Sequence, residues 1–443
     1  MPAREVPLDV DGYPMAPPEL VLEQVHVYAR HGERTPVGVR LVDPPASIPQ
    51  HWTMCQNGRQ FRAAVAGSHA LDETSVQQHD ASLLLRRAVE RRDGSFHDSE
   101  CMLGELTDIG RATTYNLGVA LRKLYVDKLN FLPDRIGHEG HVYFRSTQVP
   151  RTIESLQQIV HGLYPTTKYD NGIVPRILIR NPRDENLLGN TMACRRLEVL
   201  NAGFAIAAAK AMEHTLEPLD EKLSKYIRGN PIRIDGQPRL SGIFDTVRSA
   251  QANGVKVPPE FHDKAIMDTI ERAVVTEWFA GYKTEEFRRL AMGRLLDDLS
   301  RKMTHKADYG EKDPLKILIH STHDTALAGL ASTLDVFDER WPAFTASITF
   351  ELFRKVEPES PKSFLQSLFG TFAPTSSKRT SEHFVRMRYQ NRNLSLPFCF
   401  EEGSHLKGSP EFCTLTAFQQ RVKELTPQDW EKDCLTAASH PRS

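Results

Sequence analysis

The sequence predicts an α/β fold, a sheet whose strands alternate with helices, with a mostly helical segment inserted part-way along the chain. Three observations carry this. The valine-rich run Leu20–Tyr28 (LVLEQVHVY) has prolines before it and a glycine after it, as a strand does. The run His141–Thr147 (HVYFRST) is a second short strand, and it leads into VPRTIESLQQIVHGLY, whose apolar spacing is helical after an early proline. Leu315–Leu334 (LKILIHSTHDTALAGLASTL) gives a third strand, a polar turn and an apolar helix. Strand, polar turn and helix in succession is the local pattern of an α/β sheet. In such sheets, functional groups collect at the carboxyl ends of the strands.

Between these units lie helical stretches. Asn201–Ile227 and Glu271–Met303 both place apolar residues three and four apart, the second most clearly. The expected organisation is an α/β catalytic domain from residues 1–183 and 284–443, with 184–283 as a helical cap inserted into it. LLLRRAVERR (Leu83–Arg92) reads as the solvated face of a helix. Ser363–His383, polar and rich in Ser and Thr toward its end, reads as a loop. No internal repeat is present.

The chain has 443 residues, enough for two domains or one large domain with an insertion. Lys and Arg number 56 against 57 for Asp and Glu, a formal net charge of −1, which gives no support for a nucleic-acid partner. No apolar run is long enough to span a bilayer. The first twenty residues carry charges and prolines where a signal peptide needs an apolar core, so the expected compartment is the cytoplasm. A secreted or mitochondrial location is the alternative if that terminus has been altered. The six cysteines show no CxxC spacing, which argues against structural zinc, and are expected as reduced, buried thiols. Cys399 and Cys413 flank a polar loop and would pair only in an oxidising compartment.

Each predicted strand end carries residues of one chemical kind. The first supplies Arg30, His31 and Arg34, the second Arg145, the third His323 and Asp324. Guanidinium forks suit phosphoryl oxygens and neutralise the charge that spreads over them during transfer. A neutral imidazole attacks phosphorus in line and forms a covalent phosphohistidine. A neighbouring carboxylic acid protonates the departing alkoxide, then takes a proton from the water that resolves the intermediate. Nothing in that scheme needs a metal or other cofactor, and the residues alone leave open which histidine attacks.

RHGERTP (Arg30–Pro36), followed far downstream by His323-Asp324, resembles the histidine acid phosphatase family, branch 2 of the histidine phosphatase superfamily. Its RHGxRxP signature is met at Arg30, His31, Gly32, Arg34 and Pro36. The resemblance extends to LTDIGRATTYNLGVALRKLY, RSTQVPRTIES, IFDTVRSAQANGVKVP and the stretches FTASITFELF and FVRMRYQNRNLSLPFC, which look like the family's last two strands. It implies a three-layer α/β/α fold of the phosphoglycerate-mutase-like kind, with a mixed central sheet and a helical cap. It implies His31 as the phosphorylated nucleophile and Asp324 as the proton donor. Arg30, Arg34, Arg145 and His323 would hold the phosphoryl group of a small phosphomonoester, and a homodimer is allowed. LDVFDERWPAFTASITFELF is most similar to the lysophosphatidic acid phosphatase subgroup, with the histidine phytases less similar. Thr113 and Gln148 depart from the family's usual Gln and Asp, at positions that do not hold phosphate.

Three rival readings fit some of these residues. His320, His323 and Asp324 would suit a metal-dependent hydrolase, but three arginines crowd any cation there. A phosphate-binding scaffold would have lost its nucleophile or donor, and both are present. A mutase would return the phosphoryl group to substrate, and the HD pair favours transfer to water. Arg151 stands near Arg145, and which of the two is the structural arginine is left open by the sequence. His320 and His26 are expected as buried strand residues, Glu33 at most at the pocket rim, and Trp341 and Phe344 in the core. Because Asp324 must be protonated while His31 is neutral, the rate should follow a bell-shaped pH profile on the acid side.

Overall fold

Strand β1, Leu20–Arg30, is buried from Gln24 to its end, so both of its faces need cover. In the computed structural model, which describes residues 8–56, 60–64, 82–170, 172–356 and 382–435, it lies inside a nine-stranded sheet. The other strands are β2 (Val142–Ser146), β3 (Ile177–Ile179), β4 (Ile317–Thr322), β5 (Ser347–Lys355), β6 (His383–Tyr389), β7 (Arg392–Leu394), β8 (His405–Leu406) and β9 (Ser409–Thr414). Their order is β8-β9-β6-β5-β1-β4-β2-β3, with β7 against β6. β1, β4, β2 and β3 run parallel, while β5, β6, β7, β8 and β9 pair antiparallel. The sheet is therefore mixed. Arg30 lies opposite Thr322, and Ser146 opposite Ser321, so β1, β4 and β2 end at nearly one level.

Helices cover both faces. On one, Val25, Val27 and Ala29 pack with Leu117 and Leu121 of α1 (Asp108–Arg122) and Leu156, Ile159 and Leu163 of α2 (Pro150–Leu163). A Cβ on Gly118 would stand 2.1 Å from the Ile159 carbonyl oxygen, which is why these two helices meet at glycine. On the other face, Tyr28, Phe350 and Val385 pack with α6 (Glu285–Tyr309), α7 (Asp324–Thr333) and α8 (Leu415–Leu425). Neighbouring strand residues such as Val27 and Tyr28 point to opposite sides, which gives three layers. The helices α3 (Arg195–Leu216), α4 (Leu240–Ala252) and α5 (Lys264–Phe279) contribute to a separate cluster. There Leu216, Ile243, Phe244, Val247 and Ile270 enclose Leu41, Ile48 and Trp52 from the loop after β1.

A buried charge group locks the antiparallel half. Glu351 of β5 lies opposite Arg386 in register, and it takes ion pairs from Arg386 (2.7 Å) and Arg388 (3.0 Å) with all three side chains fully buried. Tyr125 and Tyr13 donate to the same carboxylate at 2.7 and 3.1 Å, which ties α1's extension and the amino-terminal segment to the sheet. Burial alone would raise the Glu351 carboxyl, but Arg388 and Arg386 overcome it and hold it at about 2.

Several local expectations are corrected. Glu271–Met303 is two helices, α5 and α6, broken by a tight turn at Ala280–Lys283 where Phe287 packs against Gly281. Residues 83–92 hold short strands instead of a helix. The second of the stretches expected as the last two strands holds both β6 and β7, and β8 and β9 follow it. The loop reading of Ser363–His383 falls, up to residue 381, outside the described residues. The cysteines are not reduced: they pair as Cys55–Cys101, Cys194–Cys434 and Cys399–Cys413. Two of these pairs are 46 and 240 residues apart, contacts that only the folded topology creates. Among the described residues no helix is long and apolar enough to cross a membrane.

Candidate active site

The parallel half of the sheet delivers the signature loop to one place. His31 continues the ladder beyond β1, its N–H donating to Thr322 at 3.0 Å, and its carbonyl accepts from Thr345 at 3.1 Å. Gly32 follows because the first turn of α1 abuts it: a Cβ would come within 2.3 Å of the Gly110 carbonyl oxygen. The Gly32 N–H is 3.1 Å from the Ser155 hydroxyl of α2. The His31 Nδ1 lies 2.9 Å from the Gly32 carbonyl, which can only accept, so Nδ1 carries the hydrogen and Nε2 keeps its lone pair. Burial, then Arg30, Arg34, Arg151 and His323, push the His31 pKa well below the ordinary imidazole value. The ring is neutral in mild acid.

Arg30 pairs with Asp324 at 2.6 Å, donates to the Pro342 carbonyl at 2.6 Å and lies over the Phe344 ring with its Cζ 4.0 Å from the centroid. Arg34 pairs with Asp245 of α4 at 2.8 Å and lies 3.4 Å from the Ser249 hydroxyl. The other Asp245 oxygen accepts from the Val37 N–H at 2.9 Å. Asn253, at the end of α4, donates to the Arg34 carbonyl at 3.1 Å and accepts from Thr107 at 2.6 Å. Helix α4 thus grips the signature loop at both its side chain and its backbone.

His323 is the N-cap residue of α7, and Asp324 is that helix's first residue, where the peptide dipoles favour a negative charge. The Asp324 Oδ1 accepts from the Thr325 N–H at 2.8 Å, and Oδ2 accepts from the Trp341 indole at 3.1 Å. Burial raises the Asp324 carboxyl, but Arg30 and Arg34 outweigh it and hold it below its usual value. Burial followed by Arg151 lowers His323 to about 4. The two imidazoles, His31 and His323, meet edge-on with centroids 5.7 Å apart.

One expected member is not brought to this cluster. Arg145 lies level with His320 on β4 and Tyr28 on β1, two residues short of Arg30. Its guanidinium pairs at 2.5 Å with Glu185, whose carboxylate is fixed by the N–H groups of Asn186 (2.8 Å) and Leu187 (2.7 Å). Arg151, the other arginine of that turn, is the one whose charge reaches this cluster. It follows Pro150 on the first turn of α2, has no ion-pair partner among the described residues, and its charge acts on both His31 and His323. Burial and the neighbouring Arg34 lower it to about 10.

Trp341 packs against two core clusters as expected and in addition donates to Asp324, while Phe344 is half-buried and stands 5.9 Å from His31, centroid to centroid. His320 and His26 are buried strand residues as expected, His320 stacked on Tyr28 at 4.5 Å. Glu33 is buried and accepts from the Thr113 hydroxyl, which also sits 3.1 Å from Thr345. The Thr113 departure therefore lies behind the signature, away from the pocket. Among the described residues no group of three His, Cys, Asp or Glu side chains is placed to hold a metal ion.

The His323 Nε2 is 3.0 Å from the Thr147 hydroxyl. With Thr147 donating, the free hydrogen of His323 is on Nδ1, available to a bound anion. Thr147→Val is expected to reduce kcat/KM on p-nitrophenyl phosphate about tenfold, the worth of one oriented hydrogen bond. Unchanged kinetics would remove Thr147 from any role in setting that ring.

The arrangement matches known proteins. The model of the histidine phosphatase superfamily (branch 2) fits residues 21–390. The chain belongs to this superfamily. It is similar to a probable acid phosphatase of Schizosaccharomyces pombe, 34% identical over 94% of this chain and 95% of that one. Human lysophosphatidic acid phosphatase type 6 is 26% identical over 76% of this chain and 75% of its own length. Among solved structures, the apo phytase of Hafnia alvei covers 95% of this chain and 100% of its own at a TM-score of 0.59 and 14% identity, a likeness of fold. As a branch 2 histidine phosphatase with acid phosphatases among its relatives, the chain is an enzyme, a phosphoric monoester hydrolase.

Proposed function

We propose that this histidine phosphatase hydrolyses small organic phosphomonoesters through a phosphohistidine on His31, without a metal ion. The observation that carries the reading is the His31 tautomer: Nδ1 is spent on the Gly32 carbonyl, and Nε2 is left beside guanidiniums that would hold a phosphoryl group. The Nε2 lone pair attacks phosphorus as the P–O bond to the alcohol breaks, and protonated Asp324 gives its proton to the leaving oxygen. Water then attacks phosphorus, the P–N bond breaks, Asp324 takes the water's proton, and inorganic phosphate leaves. Arg30, Arg34, Arg151 and His323 hold the transferring oxygens. Arg145 is not assigned to this set, because Glu185 already engages it. The helices between residues 184 and 283 serve as the cap over the pocket.

The test is to quench turnover of p-nitrophenyl phosphate in mildly acidic buffer containing EDTA and map the trapped phosphoryl group. An acid-labile, alkali-stable phosphate on the peptide bearing His31 is expected, with none in His31→Ala. Label elsewhere, or turnover abolished by EDTA, would overturn the reading.

We also infer an oxidising compartment, in place of the cytoplasm, on the support of the three disulfides. Protein isolated from its native source into iodoacetamide, with no reductant, is expected to show none of its six cysteines alkylated. Full alkylation would return the chain to a reducing compartment.

A further inference from the structure

Arg248 lies on α4 one turn beyond Asp245 and next to Ser249, and both of those residues touch Arg34. Positions three and four apart share a helix face, so Arg248 belongs to the face that closes over the signature loop. It is half-buried, with its guanidinium 5.8 Å from the Phe244 ring, and it has no ion-pair partner among the described residues. Phe244 in turn meets Trp341 edge-on at 5.7 Å, and Trp341 donates to Asp324. The Arg248 charge also acts on Arg30, the ion-pair partner of Asp324, so Arg248 stands at the pocket on the side of that pair.

The charge balance singles it out. Arg30 is paired with Asp324 and Arg34 with Asp245, while Arg151 and Arg248 are unpaired among the described residues. When Asp324 is protonated for its step, these four guanidiniums face the single carboxylate of Asp245. That leaves three positive charges against a dianionic phosphoryl group, one more than it neutralises.

We infer that Arg248 is a specificity residue that binds a second anionic group, a carboxylate or another phosphate, on the alcohol portion of the substrate. This rests on the phosphatase reading above and adds the substrate class to it. A charged hydrogen bond at a partly desolvated site is strong enough to sort substrates.

The experiment compares ω-carboxyalkyl phosphates of increasing chain length with their ω-hydroxyalkyl counterparts, using the full chain. At the length that spans the pocket, the wild type is expected to favour the carboxylate by about tenfold or more in kcat/KM. Arg248→Met should erase that preference, Arg248→Lys should keep part of it, and Arg248→Glu should reverse it. A wild-type ratio near one at every length, or a preference that survives Arg248→Met in protein with an unaltered melting curve, overturns the inference. If the wild type hydrolyses neither series nor p-nitrophenyl phosphate, it is the phosphatase reading itself that has failed.

Discussion

Arg151→Met is expected to lower kcat/KM on p-nitrophenyl phosphate by on the order of 10³-fold, about 4 kcal/mol of transition-state stabilisation. The guanidinium at the start of α2 has no ion-pair partner among the described residues; Asp324 and Asp245 act on it only from beyond contact, which leaves its hydrogen-bonding fork open to a bound anion. Arg145→Met should give the opposite pattern. Removing Arg145 takes the ion-pair partner from the Glu185 carboxylate, 7% exposed, and breaking such a buried pair costs about 3–5 kcal/mol of stability. The folded fraction of that variant should keep kcat/KM within about tenfold of wild type. Denaturant titration paired with steady-state kinetics separates the two. An Arg145 variant that folds normally and loses turnover, beside an Arg151 variant that keeps it, would reverse the assignment.

These two arginines mark where the sequence stops being legible. Arg30, His31 and Arg34 sit in one heptapeptide, and His323 with Asp324 in one turn. Strand-end logic places both without knowing any long-range contact. Arg145 and Arg151 flank the same turn, and what separates them is Glu185, a partner forty residues further on that captures one of them. Asp245, the carboxylate that orients Arg34, lies more than two hundred residues from it, on α4. Trp341 and Phe344 read as core because aromatic residues beside a strand usually are core. Only the fold turns the indole N–H toward Asp324 and sets the Phe344 ring under Arg30. The break at Ala280–Lys283 was hidden for a similar reason: apolar spacing runs on through α5 and α6, and the turn is fixed by Phe287 packing on Gly281.

Asp324→Asn is expected to divide substrates by their leaving group. In kcat/KM, which reports the step that breaks the ester bond and not the later release of phosphate from His31, alkyl phosphates should fall on the order of 10³-fold, about 4 kcal/mol, because an alkoxide needs a proton as it departs. p-Nitrophenyl phosphate should fall far less, since nitrophenolate leaves unaided. Equal losses on both would make Asp324 a positioning group for Arg30 and not a proton donor. The pH behaviour follows from the same residue. In the free protein Arg30 and Arg34, opposing the effect of burial, keep Asp324 ionised below the usual carboxylate range. A bound dianion takes up the charge of both arginines and repels the carboxylate, so the Asp324 pKa rises in the complex. The complex then holds more protons than the free protein across the window between the lowered and the raised pKa. Affinity for a dianion must therefore increase as pH falls through that window and level off outside it. Sulfate, which stays dianionic throughout, isolates this effect. Isothermal titration in buffers of different ionisation enthalpy should show a proton taken up on binding in mild acid, and Asp324→Asn should abolish it. His323, lowered to about 4 by burial and Arg151, is the competing acceptor. Uptake that persists in Asp324→Asn would place the proton there and move the acid role from the carboxylate to the imidazole.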